Sequence, residues 1–156
     1  MTTVMGAIHL MGMILVSIWG IISAGMDRMD RMDRIYMGVF ISLPLSWIIF
    51  KDECIISYVI KKIENPHYIL GSESATATDL IDLFPNMVTY QYYTHFNHLM
   101  RIISLMIVNR RTIKCPNSIF IPMLIMYSIL LYRLFTNFSN INKILLCIYL
   151  YRVARH

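Results

Sequence analysis

The residues best placed to do chemistry lie between Val88 and Val108. Gln91, His95, His98 and Arg101 recur at helical spacing, with Thr94 among them. Two imidazoles at i, i+3 share a helix face and can hold a metal or exchange a proton. No Asp, Glu or Cys stands nearby to complete a ligand set or a catalytic pair. The plainer reading is a polar stripe turned into a helix contact, and it is preferred here; no metal or cofactor is expected. Arg101 stands out because a charge inside an apolar segment is costly and marks a functional position by default. Residues 83–156 contain no carboxylate, so a partner for Arg101 has to come from the first half, a lipid phosphate or another chain.

A second basic group, Arg110, Arg111 and Lys114, follows at once. Its chemistry suits anionic headgroups or acidic partner surfaces. The three cysteines, Cys54, Cys115 and Cys147, have no ligand-like or disulfide-like spacing. Asn137-Phe138-Ser139 matches a glycosylation sequon at the edge of an apolar run, too close for efficient transfer. There is no phosphate loop, HExxH or GxSxG motif, and no paired carboxylates on one helix face. The expectation is therefore a protein that is not an enzyme.

The elements that position these residues are set by long apolar runs. Hydrophobic residues make up 57% of the chain and charged residues 15%, too little polar surface for a soluble domain of this size. Val4 to Met26 carries no charge and is long enough to cross a hydrocarbon core of roughly 30 Å. A signal peptide is the rival reading, with Ser23-Ala24-Gly25 as a cleavage site, but no basic residue precedes the run. The tripeptide Met-Asp-Arg then repeats three times over residues 26–34. It reads as a short solvated hinge, with Asp27 and Arg31, and Asp30 and Arg34, at the favourable i, i+4 spacing.

Further spans are expected over 35–50, which contains Pro44, over 88–108 and over 119–138, with Pro122 near its start and Arg133 near its end. Residues 51–87 hold an amphipathic helix, with Ile55, Ile56, Val59, Ile60 and Ile63 on one face, then a stop at Asn65-Pro66 and a polar loop from Gly71 to Thr78. The run 144–151 is too short to cross alone and reads as a packed or interfacial terminal helix. The fold class expected is all-α, a single multi-pass transmembrane helical bundle. The first and third loops carry Arg28, Arg31, Arg34, Arg110, Arg111 and Lys114, which places both on the cytosolic side. Lys143, Arg152 and Arg155 then fall on the wrong side unless the chain crosses again.

One stretch carries a resemblance. Trp47-Ile48-Ile49-Phe50-Lys51-Asp52-Glu53-Cys54-Ile55-Ile56-Ser57-Tyr58, followed by Lys61-Lys62 and Asn65-Pro66-His67-Tyr68-Ile69-Leu70-Gly71, is similar to small multi-pass membrane proteins of nucleocytoplasmic large DNA viruses. The shared features are a tryptophan at a helix end, a polar pair before cysteine, and a helix closed by an Asn-Pro-x-Tyr turn before glycine. The resemblance covers about one sixth of the chain. It implies a virus-encoded membrane protein, in the internal membrane or a host endomembrane; with the lipid-length runs and the missing catalytic constellation, the expectation is a structural protein of a virion that anchors or bridges membrane and capsid proteins. Its expected partners are the lipid bilayer, capsid or other virion membrane proteins, and further copies of itself; nucleic acid is not expected. The alternative is a small transporter or channel subunit, with the stripe on 88–108 lining its path.

Overall fold

A computed structural model describes residues 2–26, 30–51, 53–72, 78–133 and 140–156. Among these residues the chain is helical throughout, with no strand. Helix α1 covers Thr2–Ile22 and closes in a 3-10 turn over Ser23–Gly25; α2 covers Asp30–Ile49. A short α3, Ile55–Glu64, and a single turn, α4, Thr78–Ile81, precede α5, Met87–Val108. A π-turn, Asn109–Ile113, extends α5, and α6, Asn117–Arg133, and α7, Asn140–Ala154, complete the chain.

Local chemistry explains the boundaries. The Asn86 side chain caps α5 by accepting from the Thr89 N–H at 2.9 Å, satisfying one of the orphan donors of the first turn. The π-turn ends where Lys114 takes a left-handed conformation, φ 54°. Helix α3 stops at Asn65, before Pro66, because the residue before proline avoids helical geometry. Both prolines expected inside apolar runs, Pro44 and Pro122, sit inside helices.

Three boundaries differ from the sequence expectation. Helix α2 begins at Asp30, five residues early, because Asp33 is drawn into the interior and the helix forms around it. The second half of the Met-Asp-Arg repeat is therefore helix, not hinge, and Asp30 faces Thr112 at 3.4 Å. The terminal helix has 15 residues rather than the eight of its apolar run, since a helix needs only one apolar face and Val153 still reaches the core beyond Arg152. Asp27 to Met29, residues 73–77, and residues 134–139 with the sequon lie outside the described residues, as does the side chain of Arg133.

The packing is partly inside out. An apolar core does form where α2, α5, α6 and α7 meet, around Phe40, Leu105, Met123, Tyr127, Leu130 and Leu150. Yet the buried face of α1 consists of Gly6, His9, Ser17, Gly20 and Ser23. Its large apolar residues, Val4, Ile8, Met11 and Leu15, point outward. Helix α5 repeats this pattern in part: Asn97, Arg101 and Ser104 are buried beside Tyr90, Leu105 and Val108, while Val88, Tyr92, Phe96, Leu99, Ile103 and Met106 form a continuous exposed stripe. The segments Val4–Gly25 and Asp30–Ile49 are long and apolar enough to cross a membrane.

The cross-helix contacts set the topology. Ser17 meets Arg101, Gly20 meets Ser104 and Ser23 meets Arg111, so α1 and α5 run parallel. Asp33, early in α2, bonds to Trp19, late in α1, so α2 returns antiparallel. His98 meets Ser128 while Arg101 meets Tyr127, so α6 also runs back.

Candidate functional site

The small-residue face of α1 lets α5 approach closely, the device that brings helix backbones together where apolar burial alone gives no drive. At Gly20 the approach is backbone to backbone. The Gly20 N–H donates to Ser104 Oγ, and a Cβ on Gly20 would overlap the Ser104 carbonyl.

One turn away, Arg101 is 3% exposed. Its Nε donates to Ser17 Oγ at 3.3 Å and its Nη1 to Tyr127 OH at 2.6 Å. Ser17 Oγ spends its own hydrogen on the Met13 carbonyl at 2.8 Å, so a lone pair receives Arg101. Among the described residues no carboxylate is a hydrogen-bond partner of Arg101. Beside it, His98 Nε2 lies 3.1 Å from Ser128 Oγ. The Ser128 hydroxyl donates to Leu124 O at 2.8 Å, so His98 Nε2 carries the hydrogen and gives it to Ser128. His98 Nδ1 is then a bare acceptor, buried without a partner among the described residues, as is the Tyr93 hydroxyl.

A second cluster locks the end of the bundle where α1 finishes and α2 begins. Asp33 is fully buried. Arg111 grips both of its oxygens, Nη2 to Oδ1 at 2.6 Å and Nε to Oδ2 at 2.9 Å. Thr112 Oγ1 donates to Oδ2, and Trp19 Nε1 donates to Oδ1 at 3.1 Å. Arg111 also donates to the carbonyl and hydroxyl oxygens of Ser23. One carboxylate thus joins α1, α2 and the π-turn through charge-assisted bonds, the strong kind.

A third cluster lies at the opposite end. Glu53 and Lys61, both buried, are 3.6 Å apart, and Tyr68 OH donates to the same Glu53 oxygen. Lys62 Nζ donates to the Tyr68 carbonyl at 3.0 Å. Next to them Cys54 Sγ sits 3.5 Å from His9 Nε2. Burial pushes the Cys54 thiol up, but the His9 imidazole and the backbone N–H groups of Ser57 and Ile56 outweigh it and hold the thiol below its ordinary value. Burial alone acts on Cys115 and pushes its thiol up.

The structure separates the residues singled out by sequence. Gln91 and His95 are exposed, His98 is half-buried and Arg101 is buried. The inward stripe on α5 runs through Tyr90, Thr94, Asn97, Arg101 and Ser104; it shares Thr94 and Arg101 with the expected stripe and has Tyr90 and Asn97 where Gln91 and His98 are expected. Asn97, Ser104 and the α1 residues Ser17, Gly20 and Ser23 were not singled out. Their signal is the recurrence of small and polar residues every three or four positions in both helices. Arg111, grouped in the sequence with Arg110 and Lys114 as a headgroup contact, has its charge engaged by Asp33. Arg110 and Lys114 remain exposed. Among the described residues no three of His, Cys, Asp and Glu gather as metal ligands. No family model, no curated protein and no solved structure matches the chain.

Proposed function

We propose that this chain is a multi-pass integral membrane protein with a structural role, a helical bundle that anchors and bridges partner proteins at a virion membrane. The observation that carries the membrane reading is the inverted face of α1 and α5. Val4, Ile8, Met11 and Leu15 of α1 and Val88, Tyr92, Phe96, Leu99, Ile103 and Met106 of α5 face outward, while His9, Ser17, Gly20, Asn97, Arg101 and Ser104 face in, beside Tyr90, Leu105 and Val108. Water would favour the opposite arrangement by roughly 25 cal/mol per Å² of apolar surface, whereas a hydrocarbon surround favours this one. Helix α5 has the length to span, and its inward polar residues account for its modest apolar character. The first and third loops lie at one end of the bundle, joined by Asp33 and Arg111, and both are basic, which suits a cytosolic face.

The structural role follows from what the polar groups do. Asp33, Arg111 and Ser104 are used to fix helices to one another. The virion setting rests on the resemblance around Trp47 to Gly71. Two measurements test the proposal. The chain should stay with membranes through alkaline carbonate washing. It should also be found by mass spectrometry in purified, detergent-extracted particles, and its absence there removes the virion role.

A transport reading has one observation in its favour. Among the described residues Arg101 has no carboxylate hydrogen-bond partner, and two buried polar atoms near it, His98 Nδ1 and the Tyr93 hydroxyl, have no partner. A water-filled path would satisfy all of them.

A further inference from the structure

A groove of about 620 Å³ runs along α7, walled by Ile48 of α2 and by Ile144, Cys147, Ile148 and Tyr151, with Lys143 at one end and Arg152 and Arg155 at the other. We propose that it binds one anionic phospholipid, with an acyl chain along the apolar wall and the phosphate held by Arg152 and Arg155. The inference rests on the membrane reading and adds to it a lipid class and an address.

Charge and length carry the argument. Arg152 and Arg155 line one end of the groove and are exposed. Three residues apart on a helix, they share a face and can converge on one phosphate, for which guanidinium is the apt partner. The Arg155 guanidinium lies over the Tyr151 ring at 5.5 Å, which holds it against the groove wall. No Asp or Glu is among the residues that line the groove. From Ile144 to Arg155 the helix rises about 16 Å. An acyl chain lying along Ile144, Cys147 and Ile148 can therefore place its phosphate beside the arginines. A choline headgroup brings its own cation and gains less there.

The test uses the full chain in mild detergent, read by native mass spectrometry with dioleoylphosphatidylglycerol or dioleoylphosphatidylcholine added. Wild type retains phosphatidylglycerol over phosphatidylcholine. Each arginine is worth about fivefold in anionic-lipid affinity, so R152Q/R155Q weakens phosphatidylglycerol retention about 25-fold and leaves phosphatidylcholine unchanged. Cys147→Phe, which fills the apolar wall, weakens retention of both lipids. Inorganic phosphate at millimolar concentration does not displace the lipid. Equal retention of the two lipids by wild type, or selectivity that survives R152Q/R155Q, overturns the proposal. If the chain withstands carbonate washing but shows no lipid preference, this inference alone falls. If carbonate releases it, the membrane reading falls as well.

Discussion

Asp33 and Arg111, 78 residues apart in the chain, meet in a two-pronged pair at one end of the bundle. Removing one partner of such a pair strands the other, at about 3–5 kcal/mol when the site is fully buried. Arg111 keeps some contact with solvent, so Asp33→Ala and Arg111→Ala are each expected near the low end, about 3 kcal/mol. The double variant should cost clearly less than the sum of the singles, because removing both leaves no stranded charge. Denaturant or SDS titration of the detergent-solubilised protein measures this cycle. Strict additivity would mean that the pair contributes nothing.

Two glycines on α1 give opposite predictions. A side chain on Gly20 collides with the Ser104 backbone, whereas Gly12 has open space around its Cβ position. Gly20→Val should separate α1 from α5, break the Gly20–Ser104 bond and cost about 1–3 kcal/mol or more. Gly12→Ala should be neutral or stabilising by up to about 1 kcal/mol, since alanine is the better helix former. Thermal melting in detergent separates them, and equal effects would show that the α1–α5 contact is looser than described.

Arg101 separates the structural from the transport reading. On the structural reading, Arg101→Ala and His98→Ala lower thermal stability, and liposomes holding wild type pass ions no faster than empty ones. On the transport reading, wild type conducts and both variants change the flux. Side-by-side flux and melting measurements decide, and stability loss without any flux favours a structural bundle.

The helical class and the outline of most elements were legible because apolar runs and helix stops act locally. The α3 boundaries follow from the isoleucine spacing and from Asn65-Pro66. What was not legible is long-range. The Met-Asp-Arg repeat reads as three equivalent units, and nothing local shows that Asp33 is buried against a residue 78 positions away. Arg111 could not be told from Arg110 for the same reason. On α5, Thr94 and Arg101 are legible as inward positions, but Gln91 and His95 are as polar as Asn97 and Ser104. Only the facing surface of α1, rich in small residues, chooses between them.

Cys54 offers a chemical readout of the end opposite to Asp33. Its thiol is held low although burial opposes this, with the His9 imidazole as the chief opposing influence. Alkylation needs the thiolate. A thiol held low reaches its thiolate at lower pH, so the Cys54 rate should reach half of its plateau below the pH expected for a free cysteine. His9→Ala removes the bond and the nearby imidazole, leaves burial in place, and should move that midpoint upward. In a Cys147→Ser background, Cys115 should react far more slowly, being buried and pushed up. His9 and Ser23 are separated along α1 by about 21 Å, so on the membrane reading Cys54 lies on the face opposite to Arg110 and Lys114. An impermeant maleimide should then label Cys54 and a cysteine placed at Lys114 from opposite sides of sealed vesicles. Labelling of both from one side would contradict the crossing of α1 and α5.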